Sequence, residues 1–291
     1  MIVSADGNAE ALALADAGST QAFNKKMHAV AKKAGVTDAK IYNMIGLSNG
    51  ELGENGIKGV SKKAENAFSA KDMALIARYL VNTYPDALNI TKENNVEFKV
   101  SDKQSYNKKN INAMLPNNGA APKNGTMDGL KTGSTDKAGN CFVGTGVFNN
   151  RRLITVVLGT DIKDFSKQFN ATNKMLEAVQ GAYQPVNIKQ LNNVKGVSSK
   201  VKVAHSKQST VKIGMKQPVA LWLPKGTNLK QVNGEIVLKS NLRTIGGHKL
   251  RAPIKKGQTV GSLKVAPIKG MPSVKIPVVA QQSVAKHSVF N

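Results

Sequence analysis

The chain has 291 residues, 41% of them hydrophobic, with 42 Lys and Arg against 18 Asp and Glu and a formal net charge of +24. That apolar fraction supports a packed core rather than disorder, and a single cysteine, Cys141, excludes an internal disulfide framework and any Cys-based zinc site. No run of about 18 apolar residues offers a spanning helix, and the opening residues lack the basic and long apolar regions of a secretory leader.

In chain order, Met1-Ile2-Val3 is apolar and strand-like, and Asn8 to Ala17 is rich in strong helix formers. Gly18 breaks that helix. Ser19 is placed to cap a second one over Thr20 to Ala34, with Phe23, Met27, Val30 and Ala34 on its apolar face and Gly35 closing it. Five glycines between Gly46 and Gly59 predict a loop over residues 46–67. Ser69 and Asp72 have capping-box spacing ahead of an apolar-periodic helix from Met73 to Val81. Cys141 to Phe148 and Arg152 to Leu158 predict a hairpin of buried strands, joined by Asn149-Asn150-Arg151. Asp161 is placed to cap a long helix ending near Ala182, with Ile162, Phe165, Phe169, Met175, Leu176 and Val179 facing the core.

At Gln184-Pro185 the texture changes. Residues 185–291 hold 19 Lys and Arg and one acid, Glu235, a net +18, whereas residues 1–184 carry +6. Short alternating β-rich runs follow: Val201 to Val203, Val211 to Ile213, Val219 to Leu223, Glu235 to Leu238, Gly261 to Val265 and Val274 to Val279. The chain therefore reads as two domains, 1–184 and 185–291, the second a small all-β module whose lysines alternate outward. Its charge suits nucleic acid, an anionic membrane surface or an anionic cell-wall polymer. Nucleic acid fits least, because Trp222 and Phe290 are the only stacking platforms that 185–291 provides.

The chemistry-bearing candidate is Asp128-Gly129-Leu130-Lys131-Thr132-Gly133-Ser134, just ahead of the hairpin. A bare Lys-Thr-Gly arises by chance in a lysine-rich chain, so its context carries the argument. An ammonium and a hydroxyl on an edge strand can hold a peptide carboxylate. A glycine there lets a ligand backbone lie against the strand and pair with it.

Lys-Thr-Gly is one of the motifs of serine penicillin-recognising enzymes. The flanks, Asp128 to Leu130 and Thr135 to Gly139, resemble those of serine-type D-alanyl-D-alanine carboxypeptidases, the low-molecular-weight penicillin-binding proteins. Asn66 to Ile76 resembles that family's serine-alanine-basic-aspartate-methionine helix start, and Gly46 to Gly50 its preceding glycine-leucine loop. Val219 to Gly226 and Leu250 to Gly261 are similar to the all-β domain that follows the catalytic one.

The resemblance implies an α+β fold, part of a transpeptidase-like domain with helices on an antiparallel sheet, followed by a small all-β domain. It implies peptidoglycan pentapeptide and β-lactams as ligands, an acyl-enzyme, no cofactor or metal, and action outside the cytoplasm. Lys131 and Thr132 would bind the carboxylate, with Gly133 and Ser134 lining the strand. The family's Ser-x-Asn motif matches Ser4-Ala5-Asp6, with Asp where Asn belongs, or the shifted Asp6-Gly7-Asn8, which loses the serine. The first is preferred, with Ser4 assisting proton transfer, although a plain helix cap fits these residues too.

The nucleophile's Ser-x-x-Lys should precede both motifs, and only three residues precede Ser4. Matches at Ser105–Lys108, Ser209–Lys212 and Ser283–Lys286 are out of order, so the catalytic serine and its lysine are expected to be absent, with the N-terminal segment that bears them. The family's leader peptide and membrane anchor are likewise not expected in this chain. The rival expectation is a non-catalytic fragment that binds an anionic surface. The four histidines have no metal-ligand spacing.

Overall fold

The computed structural model describes residues 1–266 and 273–287, so Phe290 lies outside the described residues. They form two compact units, Met1–Ala178 and Val179–Asn291.

The first unit opens with helices α1 (Asp6–Ala17) and α2 (Thr20–Ala34). The Ser19 side chain accepts from the Ala22 amide at 3.2 Å, as its sequence position predicts. Val30, expected on the apolar face of α2, is exposed, and the buried positions are Thr20, Ala31 and Ala34. The residue one place further on turns inward because long and small side chains share a stripe only about 100° wide.

Helix α3 (Ala70–Thr83) starts with the full capping box: Ser69 Oγ accepts from the Asp72 amide at 3.1 Å, and Asp72 accepts from the Ser69 amide at 2.9 Å. The short α4 (Ala87–Thr91) and a two-stranded ribbon, β1 (Asn95–Ser101) and β2 (Gln104–Lys109), follow. The ribbon has no strong apolar period, because it is solvent-exposed along almost its whole length.

Three long strands then form an antiparallel sheet in the order β3-β4-β5: β3 (Thr126–Thr135), β4 (Gly139–Phe148) and β5 (Arg151–Thr160). Its two faces are covered by different helices. Met127, Phe142 and Phe148 pack with Phe169 and Leu176 of α5 (Lys167–Ala182), while Leu130 and Val143 pack with Ala77 and Val81 of α3. Burial of each of the larger side chains contributes about 1.5–3 kcal/mol, so the sheet is clamped from both sides.

Helix α5 begins at Lys167 and not after Asp161. The Asp161 carboxylate is used locally, accepting from the Lys163 amide at 3.0 Å and the Lys167 ammonium at 2.8 Å, which stabilises a turn instead of a helix start. Ile162, Phe165 and Met175 are consequently exposed, and Phe169 and Leu176 supply the buried contacts.

The first strand of the second unit is β6 (Tyr183–Ile188), so Gln184-Pro185 lies within a strand. Next come β7 (Lys200–Ala204), β8 (Thr210–Met215), β9 (Val219–Pro224), β10 (Gly234–Leu238), β11 (Leu250–Arg251), β12 (Thr259–Val265) and β13 (Val274–Ala280). Strands β6 and β9 pair with each other, and the other six form a sheet in the order β10-β12-β13-β8-β7-β11. Its inward residues, among them Val211, Ile213, Leu250, Leu263 and Val278, build the unit's core. The alternation of Val and Lys in these short runs is therefore a half-buried sheet with a charged outer face.

Candidate functional site

Strand β3 is an edge strand, and it presents Lys131, Thr132 and Gly133 along one wall of a cavity of about 700 Å³. The opposite wall is the loop that includes Tyr42, Glu65, Asn66 and Phe68, and Cys141 and Val143 of β4 extend the lining. Cys141 is half-buried against this cavity and is not the core residue its apolar flanks suggest.

The glycine-rich loop owes its fixed shape to asparagines. Asn66 Oδ1 accepts from the Tyr42 amide at 2.7 Å and the Asn43 amide at 3.2 Å, and Asn66 Nδ2 donates to the Asn43 carbonyl at 2.8 Å. Asn43, fully buried, accepts from the Gly46 amide at 2.7 Å and donates to the Leu47 carbonyl at 2.8 Å. These side chains supply partners that a helix or sheet would otherwise provide. The β3–β4 turn is tied to the same loop by Lys137, which meets Glu65 at 2.8 Å and the Lys63 carbonyl at 2.8 Å.

At the centre, Lys131 Nζ donates to Ser4 Oγ at 2.6 Å and to the Thr132 carbonyl at 2.6 Å. Burial pushes the Lys131 ammonium below the ordinary lysine value, and the Asp6 carboxylate opposes part of that shift. Ser4 sits at φ 54°, a left-handed conformation that serine adopts at a cost of order 1 kcal/mol. It caps nothing, since the N-cap of α1 is Ala5 and makes no side-chain bond. Met1 to Val3 form a turn and not a strand. Asp6 and Asn8 are both exposed on α1.

Thr132 is 5% exposed, Gly133 is open with nothing within 4 Å of its missing Cβ, and Ser134 donates to Asn140 Oδ1 at 2.5 Å. Thus Ser4, Lys131, Thr132 and Gly133 lie together, while Ser134 turns to its hairpin partner strand.

None of the Ser-x-x-Lys matches joins them. Ser105 lies on the exposed ribbon, and Ser209 and Ser283 belong to the second unit. Two further matches are visible in the sequence, Ser134–Lys137 and Ser199–Lys202. In the first pair Ser134, near the end of β3, is bonded to Asn140 while Lys137, in the turn that follows, is held by Glu65, and the second pair lies in the other unit.

Sequence patterns do not reveal the clamp beside the site. Arg152 of β5 makes a bidentate pair with Asp128 of β3, 2.7 Å for each bond, and Arg152 also donates to Thr145 Oγ1 of β4 at 3.1 Å. The Asp128 hydrogen bond pushes the Arg152 guanidinium above its ordinary value. The Thr91 hydroxyl donates to the Asp128 carbonyl at 2.7 Å. The clamp spans all three strands at the point where the β3–β4 register shifts, between Met127 and Gly129. Among the described residues no group of His, Cys, Asp and Glu could hold a metal, and no helix is long and apolar enough to cross a membrane.

Comparison with known proteins adds to this geometry. The family profile of D-alanyl-D-alanine carboxypeptidase matches residues 1–162, and that of the penicillin-binding protein 5 C-terminal domain matches residues 183–286. The D-alanyl-D-alanine carboxypeptidase DacF of Bacillus subtilis is 29% identical over 98% of this chain and 65% of its own length. DacC of Escherichia coli, also a D-alanyl-D-alanine carboxypeptidase, is 28% identical over 99% of this chain and 63% of its own length. The chain thus spans less than two thirds of these curated relatives. The crystal structure of a peptidoglycan synthesis regulatory factor (PBP3) from Streptococcus pneumoniae superposes with a TM-score of 0.75 at 31% identity, covering 94% of this chain and 72% of that one. The mixed first unit and all-β second unit agree with the architecture that the sequence predicts.

Proposed function

Because the chain belongs to the D-alanyl-D-alanine carboxypeptidase family, we propose that it carries the carboxylate-binding half of a serine-type site for peptidoglycan stem peptides ending in D-Ala-D-Ala. The whole protein would cleave the terminal D-alanine through an acyl-enzyme, outside the cytoplasm, and β-lactams would occupy the same site. The observation that carries this is the Lys131 ammonium, held 2.6 Å from Ser4 Oγ beside an open edge strand.

The roles follow from the geometry. Lys131 and the Thr132 hydroxyl receive the terminal carboxylate, since a charged donor and a hydroxyl on one strand satisfy its two oxygens. Gly133 leaves room for the ligand backbone to pair with β3 as an added strand. Ser4, bonded to Lys131, passes a proton to or from the reacting group, and Asp6 steadies the ammonium.

Acylation also needs a nucleophilic serine with its own lysine. Ser105 lies on the exposed ribbon, and Lys137 of the Ser134–Lys137 match is paired with Glu65, so we expect the chain alone to bind without being acylated, with the reaction drawing its serine from outside this sequence. The test is labelling of the purified chain with a fluorescent penicillin, alongside titration with a D-Ala-D-Ala peptide. We expect reversible peptide binding that Lys131→Ala abolishes, and no covalent adduct. A stable adduct would overturn the assignment of the missing nucleophile, and peptide binding unchanged in Lys131→Ala would overturn the carboxylate site.

A second reading has its own support. The +18 of residues 185–291 suits an anionic cell-wall polymer or membrane surface, which the chain would grip whether or not it cleaves anything.

A further inference from the structure

The outer face of the six-stranded sheet in the second unit is arranged against its own electrostatics. Lys200 of β7 stands directly opposite Lys212 of β8, and Lys264 of β12 directly opposite Lys275 of β13. Directly opposed residues of antiparallel strands share a face, and like charges so placed are destabilising. Neighbouring strands are only about 4.8 Å apart, inside a Debye length of about 8 Å at physiological ionic strength, so the paired ammonium groups repel unless their flexible stems splay apart.

Lys202 lies two residues along β7 from Lys200 and therefore on the same face. Arg251 joins them through its register with Ala204 in the parallel β11–β7 pair. One acid, Glu235, relieves Lys264 at 3.1 Å, and among the described residues no other acid lies on this unit's strands. The remaining outward positions include Thr210, Ser262, Pro277 and two valines, Val237, which is exposed, and Val279, which is buried, and among the described residues no aromatic, Leu, Ile or Met side chain projects there. Trp222 is buried in the other sheet.

We infer that this face docks a flexible polyanion without bases, a polyol-phosphate chain of the cell-wall type. The inference rests on the second reading above and names its partner and its surface. Opposed lysines lower their repulsion by sharing phosphates of one chain, which explains why the fold tolerates them. A nucleic acid would draw on aromatic stacking platforms, and a membrane surface on apolar side chains that enter the interface. This face supplies no aromatic platform, and Val237 is its one exposed apolar side chain among the described residues.

The experiment measures binding of the full chain to immobilised poly(glycerol phosphate), to phosphatidylglycerol vesicles and to duplex DNA over a range of salt. Two charge-matched variants are compared: Lys200→Gln with Lys212→Gln on the face, and Lys225→Gln with Lys230→Gln on exposed positions off the sheet. Polymer binding that weakens with salt is expected. The first variant should lose about thirtyfold, taking the usual worth of a lysine at an anionic surface, and the second less than threefold. Equal losses in both variants would overturn the assignment of this face. Tighter binding to vesicles or to DNA than to the polymer would overturn the polymer; a vesicle preference leaves the anionic-surface reading standing. Failure to bind any of the three overturns both. Peptide binding at Lys131 is measured separately and is unaffected by either result.

Discussion

Gly139→Ala tests how β4 is held against β5. Gly139 opens β4 at φ 65°, and a Cβ there would lie 2.3 Å from the Thr160 carbonyl oxygen of β5. Real Cβ contacts essentially never fall under 3.0 Å, so backbone must give by about 0.7 Å, the difference between the two distances. The left-handed conformation costs about 1 kcal/mol for alanine, and overpacking against fixed backbone adds about 1–3 kcal/mol. Loss of unfolded-state freedom returns about 0.5 kcal/mol. The net destabilisation is about 1.5–3.5 kcal/mol, or about 3–14 °C in Tm for a unit of this size.

Gly18→Ala separates the two contributions, because Gly18 has φ 76° with nothing within 4 Å of its missing Cβ. It should cost about 0.5 kcal/mol net, once the same unfolded-state return is subtracted. Helices α1 to α4 lie in the first unit and the single tryptophan, Trp222, in the second. Urea unfolding followed by far-UV circular dichroism therefore reports on the first, and tryptophan emission serves as the unperturbed reference. If the two alanine variants lie within about 0.5 kcal/mol of each other, below the smallest overpacking cost, the β4–β5 contact yields freely and the reasoning fails.

Other expectations follow from the same structure. A double-mutant cycle on Asp128→Ala and Arg152→Ala should give a coupling of about 1–2 kcal/mol, the value for a half-buried bidentate pair after solvent screening; a coupling near zero would refute the clamp. Burial lowers the Lys131 value, so the folded chain releases this proton before the unfolded chain does. Wild type should then gain stability relative to Lys131→Met as pH rises from the lowered value toward the ordinary one of about 10.4, and a flat difference in urea midpoints across that range would refute it. Ser69→Ala should cost about 1 kcal/mol through loss of the capping box, read from the urea midpoint by circular dichroism. Gly133→Ala should leave stability unchanged, since nothing crowds its Cβ, yet weaken D-Ala-D-Ala peptide binding at least about tenfold by calorimetry if the ligand pairs along β3.

Features written in short-range pattern are legible in the sequence. The Ser19 cap, the Ser69–Asp72 box and the β4–β5 hairpin each depend on residues a few places apart, and each is present. The start of the long helix after Asp161 is misread because one carboxylate can serve either a helix start or a local turn, and a lysine at position 167 decides for the turn. The exposed ribbon escapes detection because it buries no alternating face, and β6 because Pro185 interrupts a short alternation in which Val186 and Ile188 face the core.

Within the candidate site, Lys131 to Gly133 stand out by motif and flanks. The meeting of Lys131 with Ser4 is suggested by the family motifs alone, and the Asp128–Arg152 clamp is invisible, since register across strands is a tertiary quantity. Asn43, which helps shape the loop wall, carries no signal in the sequence, and Asn66 stands out there only as the head of the family-like helix start.

The Ser4–Lys131 bond joins groups 127 residues apart. Closing a loop of that length costs about 4 kcal/mol of chain entropy, more than one hydrogen bond returns, so this contact cannot nucleate folding and forms only after the sheet and helices have docked. During synthesis, Ser4 would wait for β3 to emerge before the two groups could meet. A single backbone cut in the exposed β1–β2 ribbon would turn the same contact into a bimolecular one, dependent on concentration and held only by what packs around it.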